Sequence, residues 1–240
     1  MYKKIAVSVL SVGLLATPLF SSSSFASEIS TSDKVLYSKQ ELSAEQVADD
    51  KAQDEITVDG VKLAPEEAVV TSELVEEGTK KELESTVEQG TQLLEMKQTG
   101  EDTYQGSYVT IASAATTSIS NEDKTTGGKV LLKVYYHVQY DKHNVKHYDM
   151  NYIQTKYTPS SGATISGRYV NMGQTGWSSW GGYVTQRNNG VKISTNSLKT
   201  TNAPDKWAPI SRGIGGANAH AKVSYKGKTY SLDVTSNFVQ

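Results

Sequence analysis

The feature that most constrains this chain is the stretch Lys129 to Asp141, KVLLKVYYHVQYD, in which Val130, Leu132, Val134, Tyr136, Val138 and Tyr140 fall on every second residue. Side chains of an extended strand alternate between faces, so a period of two over six apolar positions predicts a strand with one face in a core. The other face, Lys129, Leu131, Lys133, Tyr135, His137, Gln139 and Asp141, is mostly polar and is expected to stay wet. A strand of this kind is stable only inside a sheet, which makes it the centre of an antiparallel β domain.

The following segment supports that reading. With a three-residue loop at His143-Asn144-Val145, Tyr140 faces Tyr148, Val138 faces Met150 and Tyr136 faces Tyr152, and the polar residues Asp141 with His147 and Gln139 with Asp149 share the wet face. The apolar phase then shifts from Tyr152 to Ile153, Thr155 and Tyr157, which predicts a bulge or a passage between sheets. Tyr108 to Ala115 reads as a preceding strand and Asn121 to Gly128 as a polar loop. Pro159 to Gly162 reads as a turn, and Ala163 to Met172 as another strand. Asn188-Asn189-Gly190 is a hairpin signal between Tyr183–Arg187 and Val191–Ser197, and Lys199 to Pro209 reads as a loop. At the end, Ala217, Ala219, Ala221 and Val223 alternate with polar residues. Lys226-Gly227 turns the chain, and Tyr230, Leu232, Val234 and Phe238 alternate again. Small alanines facing a core imply bulky neighbours packed over them.

The core-forming material is unevenly spread, because twelve of the fourteen tyrosines and all three tryptophans follow residue 103. Charge is split at the same place. Residues 27–103 carry twenty acidic and seven basic residues, a net of −13, whereas residues 104–240 carry six acidic and fifteen basic, a net of +9. These counts divide the chain into a signal peptide at 1–26, an acidic and partly helical pro-region or spacer at 27–103, and a basic Tyr/Trp-rich antiparallel β-sandwich or barrel-like domain at 104–240. The opposite charges predict docking of 27–103 on 104–240.

In the first segment Lys3 and Lys4 precede a mainly apolar run, and Ser24-Phe25-Ala26 places small residues where a signal peptidase needs them, so cleavage is expected after Ala26 and the product is expected to be secreted. In the acidic region Ser43 with Gln46, and Thr79 with Glu82, have capping-box spacing. Asp59-Gly60 suits a two-residue hairpin turn, and Pro65 with Glu66 and Glu67 suits the first turn of a helix. Leu83, Val87, Gly90 and Leu94 then fall on one side at helical spacing, with Gly100 as a stop.

Cysteine is absent, which excludes disulfides, thiolate metal sites and a cysteine nucleophile. The nucleophile elbow Gly-x-Ser-x-Gly and the zinc motif His-Glu-x-x-His do not occur, and Gly213-Ile214-Gly215-Gly216 precedes a strand rather than a helix N-terminus that could hold phosphate. No catalytic residue, metal site or cofactor is therefore assigned. His137, His147, Asp141 and Asp149 on one hairpin have the chemistry to hold a divalent ion, but their spacing fixes no geometry, and cross-strand polar pairing is the commoner explanation.

The best recognition candidates are Trp177, Trp180, Tyr183 and Trp207. Rings on glycine-rich loops stack on sugars or anchor a protein partner, and the competing expectation is that they plug the ends of the sheet. Lys222, Lys226 and Lys228 on the final hairpin are candidates for an anionic envelope polymer or lipid headgroups; nucleic acid is not an expected partner outside the cell. The leading expectation is a secreted, non-enzymatic binding module whose partner is an envelope polymer, a membrane surface or an extracellular protein. Two alternatives are a bacteriocin-like or toxin-like effector with an acidic masking pro-segment, and a secreted hydrolase.

Overall fold

A computed structural model describes residues 33–43, 46, 56–58, 61–63, 68–116, 127–143 and 145–239. They contain fourteen strands: β1 (Lys34–Ser38), β2 (Ile56–Val58), β3 (Val61–Leu63), β4 (Val69–Glu76), β5 (Lys81–Leu83), β6 (Ser85–Gly100), β7 (Thr103–Thr116), β8 (Gly128–Tyr140), β9 (Lys146–Pro159), β10 (Thr164–Ser178), β11 (Tyr183–Lys192), β12 (Lys199–Asn202), β13 (Ile210–Tyr225) and β14 (Lys228–Val239). Strands β2 and β3 form a small hairpin, and the other twelve form one antiparallel sheet in the order β1-β6-β7-β8-β9-β13-β14-β4-β5, with β12 on β9, and β10 and β11 beyond β13. Pairing between β9 and β13 is confined to Tyr148 with Ile210. The sheet folds over at that point, so that β14 lies against β7 and β8, and β4 against β6.

The alternation in β8 places its apolar face as expected. Val130, Leu132 and Val134 are wholly buried, and Tyr136, Val138 and Tyr140 nearly so. Across the core Tyr136 stacks on Phe238 of β14 with ring centroids 4.4 Å apart, and Phe238 stacks in turn on Tyr148 at 5.6 Å. This aromatic stack joins the two halves of the folded sheet. Ala217, Ala219 and Ala221 of β13 are buried, and Gly215 lies opposite Phe238 because a Cβ there would come within 2.2 Å of the ring. Small residues on β13 thus make room for the stack.

The β8–β9 hairpin is paired two residues away from the expected register: Val138 faces Tyr148, Tyr136 faces Met150, Gln139 faces His147 and His137 faces Asp149. An even shift keeps every side chain on its own face, which is why the burial expectation survives the error. The longer loop is held by Asp141, whose Oδ1 accepts from the N–H groups of His143 and Val145, each at 2.9 Å. The expected phase change appears as a bulge opposite Tyr135 and Tyr136, after which Tyr152 turns to the outer face and stacks on Tyr135 at 4.2 Å.

That outer face is not wet throughout. Tyr135 is buried with Val109 and Ile111 under Leu42, Leu94, Leu131 and Tyr152. The segment 39–43 is tied across it: Lys39 N–H donates to the Leu94 carbonyl, Leu42 N–H to Gln92 Oε1, and Gln92 Nε2 to the Gln40 carbonyl, each at 2.8–2.9 Å. Glu41 accepts from the Tyr135 hydroxyl and pairs with Lys133. Burial, with Glu41 beside it, pushes the Tyr135 hydroxyl above its ordinary range.

Several expectations for the acidic region are corrected. The helix expected after Thr79 is strand: Leu83 ends β5, and Val87, Gly90 and Leu94 lie in β6, which pairs with β7 from Ser85↔Thr116 to Gly100↔Thr103. Thr79 caps no helix; its hydroxyl donates to Glu76 in a turn where Lys80 has φ +58°. The physical reason is tertiary. A helix would leave the edge of β7 without partners for its backbone groups, whereas an antiparallel strand satisfies them along its length, and the segment contains the β-branched residues Thr86, Val87, Thr91 and Thr99.

The expected boundary at 103/104 lies between the first two residues of β7, just after its turn from β6 and within one sheet. Acids before it meet lysines after it in Glu76–Lys228 (2.8 Å), Glu77–Lys222 (2.6 Å), Glu88–Lys129 (3.0 Å) and Glu41–Lys133. The Ser43–Gln46 box has both of its reciprocal bonds, Gln46 N–H to Ser43 Oγ at 3.3 Å and Ser43 N–H to Gln46 Oε1 at 2.9 Å. Val58 of β2 pairs with Val61 of β3. The signal peptide with its cut after Ala26, the helix start expected at Pro65, residues 121–126 of the loop expected over Asn121 to Gly128, and the expected turn residues Asp59 and Gly60 lie outside the described residues, while Gly128 opens β8.

The Asn188-Asn189-Gly190 signal makes no hairpin. β11 runs through it as an edge strand, and Asn189 with Gly190 (φ +68°) bulges opposite Asn171, whose Oδ1 accepts from Gly190 N–H at 2.7 Å. A residue with positive φ serves a bulge as well as a turn.

Candidate functional site

β10 and β11 are joined by the loop Ser179–Gly182, and β13 accompanies β10 to its last residue, Ser178, opposite Ile210. Gly181 and Gly182 have φ +99° and +83°, so the turn closes in a backbone region that glycine enters without strain. The loop is fixed by its own hydrogen bonds. Ser178 N–H donates to the Gly182 carbonyl at 2.8 Å, Trp180 N–H to Ser178 Oγ at 3.0 Å, and Ser179 N–H to the Pro209 carbonyl at 2.9 Å.

On this tip Trp177, Trp180 and Tyr183 are 54%, 70% and 63% exposed. Trp177 and Tyr183 are cross-strand partners, edge to face at 6.1 Å, and the Tyr183 hydroxyl lies 3.4 Å from Thr175 Oγ1. Three large aromatic side chains thus stand in water on a hydrogen-bonded frame. Trp207, expected with them, lies instead in the core cluster at 8% exposure.

The lysines form no common site with the rings. Lys226 and Lys228 sit at the far end of β13 and β14, and Ser211, opposite Trp177, is fourteen positions from Tyr225, roughly 45 Å at about 3.3 Å per strand residue. Lys222 pairs with Glu77 and Lys228 with Glu76, while the Lys226 ammonium lies 5.4 Å from the centre of the Tyr225 ring. Hydrogen bonding to Lys228 and Thr79 holds the Glu76 carboxyl below its ordinary range.

The outer face of β10 and β13 next to the tip holds a groove of about 240 Å³, with Gly173 and Gly216 at its floor. Sequence reasoning missed this groove. Its signal is the pairing of two glycine-rich segments, 173–176 and 213–216, which only the strand register brings opposite each other.

Farther along the same face His220 Nδ1 lies 3.1 and 3.0 Å from the two oxygens of Asp233, and its ring stacks on Tyr169 at 4.4 Å. The Ser231 hydroxyl goes to Asp233, not to the imidazole, so these groups are not arranged as nucleophile, base and acid. On the other half of the sheet burial holds the His137 imidazole below its ordinary value and the Asp149 carboxyl above it, while His147 Nε2 is 3.7 Å from Asp141. Among the described residues no three His, Asp or Glu side chains gather where they could hold a metal ion, and no helix is long and apolar enough to cross a membrane. The sequence matches no protein-family model, and no similar curated protein or solved structure was found.

Proposed function

We propose that the chain is a secreted, non-enzymatic binding module, built on a β-sandwich-like domain, that acts outside the cell or at the cell envelope and meets its partner through the aromatic tip of β10–β11. The observation that carries the reading is the exposure of Trp177, Trp180 and Tyr183, when the other large rings, such as Tyr136, Tyr148, Trp207 and Phe238, are buried. Covering an aromatic side chain is worth about 1.5–3 kcal/mol. A frame fixed before binding avoids the entropy of ordering a loop around the partner. Export rests on the basic, apolar and small-residue succession up to Ala26.

The toxin-like alternative draws on the same charge split, and the four acid–lysine pairs favour contact between the two regions. It also needs the acidic segment to leave, and β4 and β6 are hydrogen-bonded into the sheet on β14 and β7. Support therefore lies with the module that keeps this segment.

The test is retention of the purified protein on bacterial envelopes. Replacing Trp177, Trp180 and Tyr183 by alanine is expected to lower retention at least tenfold with the melting temperature unchanged, since all three side chains are exposed. Undiminished retention would refute the reading. N-terminal sequencing of exported material, expected to begin at Ser27, checks the export step.

A further inference from the structure

We infer that the groove beside the aromatic tip is a glycan-binding trough, so that the ligand is a polyhydroxylated chain lying across β10 and β13 with one sugar ring against Trp177; this rests on the binding-module reading and names its ligand class. Gly173 and Gly216 are cross-strand partners, and neither tolerates a side chain. A Cβ on Gly216 would come 2.3 Å from Asn237 Oδ1 and from the Ser236 carbonyl, and one on Gly173 would come 2.9 Å from the Gln186 carbonyl. The floor is consequently backbone without side chains of its own, with the Asn237 amide over Gly216 and the Arg187 stem over Gly173. On each strand the outward residues two positions away frame it: Asn171 and Thr175 on β10, Asn218 and Ile214 on β13.

The frame offers hydrogen-bonding groups that are already oriented. Asn171 gives its Oδ1 to the Gly190 N–H at 2.7 Å, which leaves its amide N–H groups as donors. Asn218 donates from Nδ2 to Thr235 Oγ1 at 3.1 Å, which leaves its carbonyl oxygen as an acceptor. The Thr175 hydroxyl donates to the Val184 carbonyl at 3.0 Å and lies 2.8 Å from that of Thr185, so it is an acceptor toward a ligand. Arg187, whose side chain passes over Gly173, forms no ion pair among the described residues. A donor amide, an acceptor amide, hydroxyls and a guanidinium side by side suit a ligand that presents many hydroxyl groups, each able to donate and accept.

From Gly173 to Trp177 is about 13 Å along the strand at about 3.3 Å per residue. The Tyr183 hydroxyl, leaning on Thr175, makes the trough continuous with the rings. A pyranose has an apolar C–H face as well as a polar edge, and this surface offers an aromatic wall and a polar floor in that order. The trough is smaller than the roughly 300–1,000 Å³ of pockets that enclose compact ligands, and it is open, as a site for a chain passing through should be. Nucleic acid would require a run of basic groups along its path, and the trough has one.

The experiment applies the full chain to a glycan array and to purified peptidoglycan sacculi, chitin and cellulose, with phosphatidylglycerol vesicles beside them. The variants are Arg187→Ala, the double variant Arg187→Ala/Asn218→Ala, and Trp177→Ala, each checked for an unchanged melting temperature. Retention on at least one glycan is expected, with a loss of several-fold for Arg187→Ala and at least tenfold for the double variant and for Trp177→Ala. Retention on no glycan, retention on vesicles alone, or a double variant that binds glycan like the wild type overturns the trough. If the three-aromatic variant loses envelope binding while Arg187→Ala/Asn218→Ala keeps it, the glycan inference falls and the binding module stands. If the three-aromatic variant keeps envelope binding, the parent reading falls.

Discussion

Cutting the chain in the turn between β6 and β7 should leave the two pieces bound to each other, in salt as well as without it. The perturbation is a protease site placed at Glu101-Asp102, both exposed, with Asp102 already at φ +56°. What holds the N-terminal piece is chiefly the core. Leu74, Leu93 and Met96 are each no more than 2% exposed, and at about 1.5–3 kcal/mol apiece they contribute roughly 5–9 kcal/mol on burial. The ladders of β6 on β7 and β4 on β14 add backbone hydrogen bonds on both sides of the folded sheet.

Of the four acid–lysine pairs between the pieces, Glu76–Lys228, Glu77–Lys222 and Glu88–Lys129 lie at the surface, where pairs are weak and screened beyond about 3 Å at 1 M salt, and only Glu41–Lys133 is more covered. Salt should therefore change the association little, although the charge split of −13 and +9 by itself predicts a contact that salt dissolves. The assay is size-exclusion chromatography of the cut protein at 0.1 M and 1 M salt, followed by thermal melting. Co-elution under both conditions, with a lowered melting temperature but a single transition, is expected. Separation of the pieces at 1 M salt would refute the argument that packing dominates and would restore the masking pro-segment.

Three further outcomes follow from the packing. Val134→Asp places an unpaired charge at a wholly buried position and should prevent folding, whereas Gln139→Asp, exposed on the same strand, should leave the circular dichroism melt within a few degrees of wild type. Gly215→Ala drives a methyl group into Phe238 and should cost about 1–3 kcal/mol by chemical denaturation; adding Phe238→Leu should recover part of that loss, and an additive double variant would argue against the contact. Burial, with Lys97 nearby, holds the His137 imidazole below its ordinary 6.5, so the folded state binds this proton less readily than the unfolded chain. Stability from this group is full above about pH 6.5 and falls as the pH drops toward the folded value. His137→Gln should flatten the stability profile in that window, and an unchanged slope would show that His137 is not responsible.

Period-two alternation is a local property, and it alone determined which residues of β8, β13 and β14 face the core, because each side chain's face depends only on its parity along the strand. Parity also explains why a register error of two residues in the β8–β9 hairpin left Val138, Tyr136 and Met150 correctly buried. The turn at Lys226-Gly227, with φ +47° and +77°, was equally legible, since two neighbouring positions set it. Whether 85–100 is helix or strand depended on the open edge of β7, a partner beyond its own pattern, and there the helical spacing of Leu83, Val87, Gly90 and Leu94 misled. The burial of Trp207 and the exposure of Trp177 and Trp180 likewise depended on the packing around each ring, for tryptophan in a glycine-rich or proline-flanked stretch looks the same in either setting. Most of all, the trough needed the tertiary structure: Gly173 and Gly216 are forty-three positions apart in sequence, and only the pairing of β10 with β13 lays them side by side between the two asparagines.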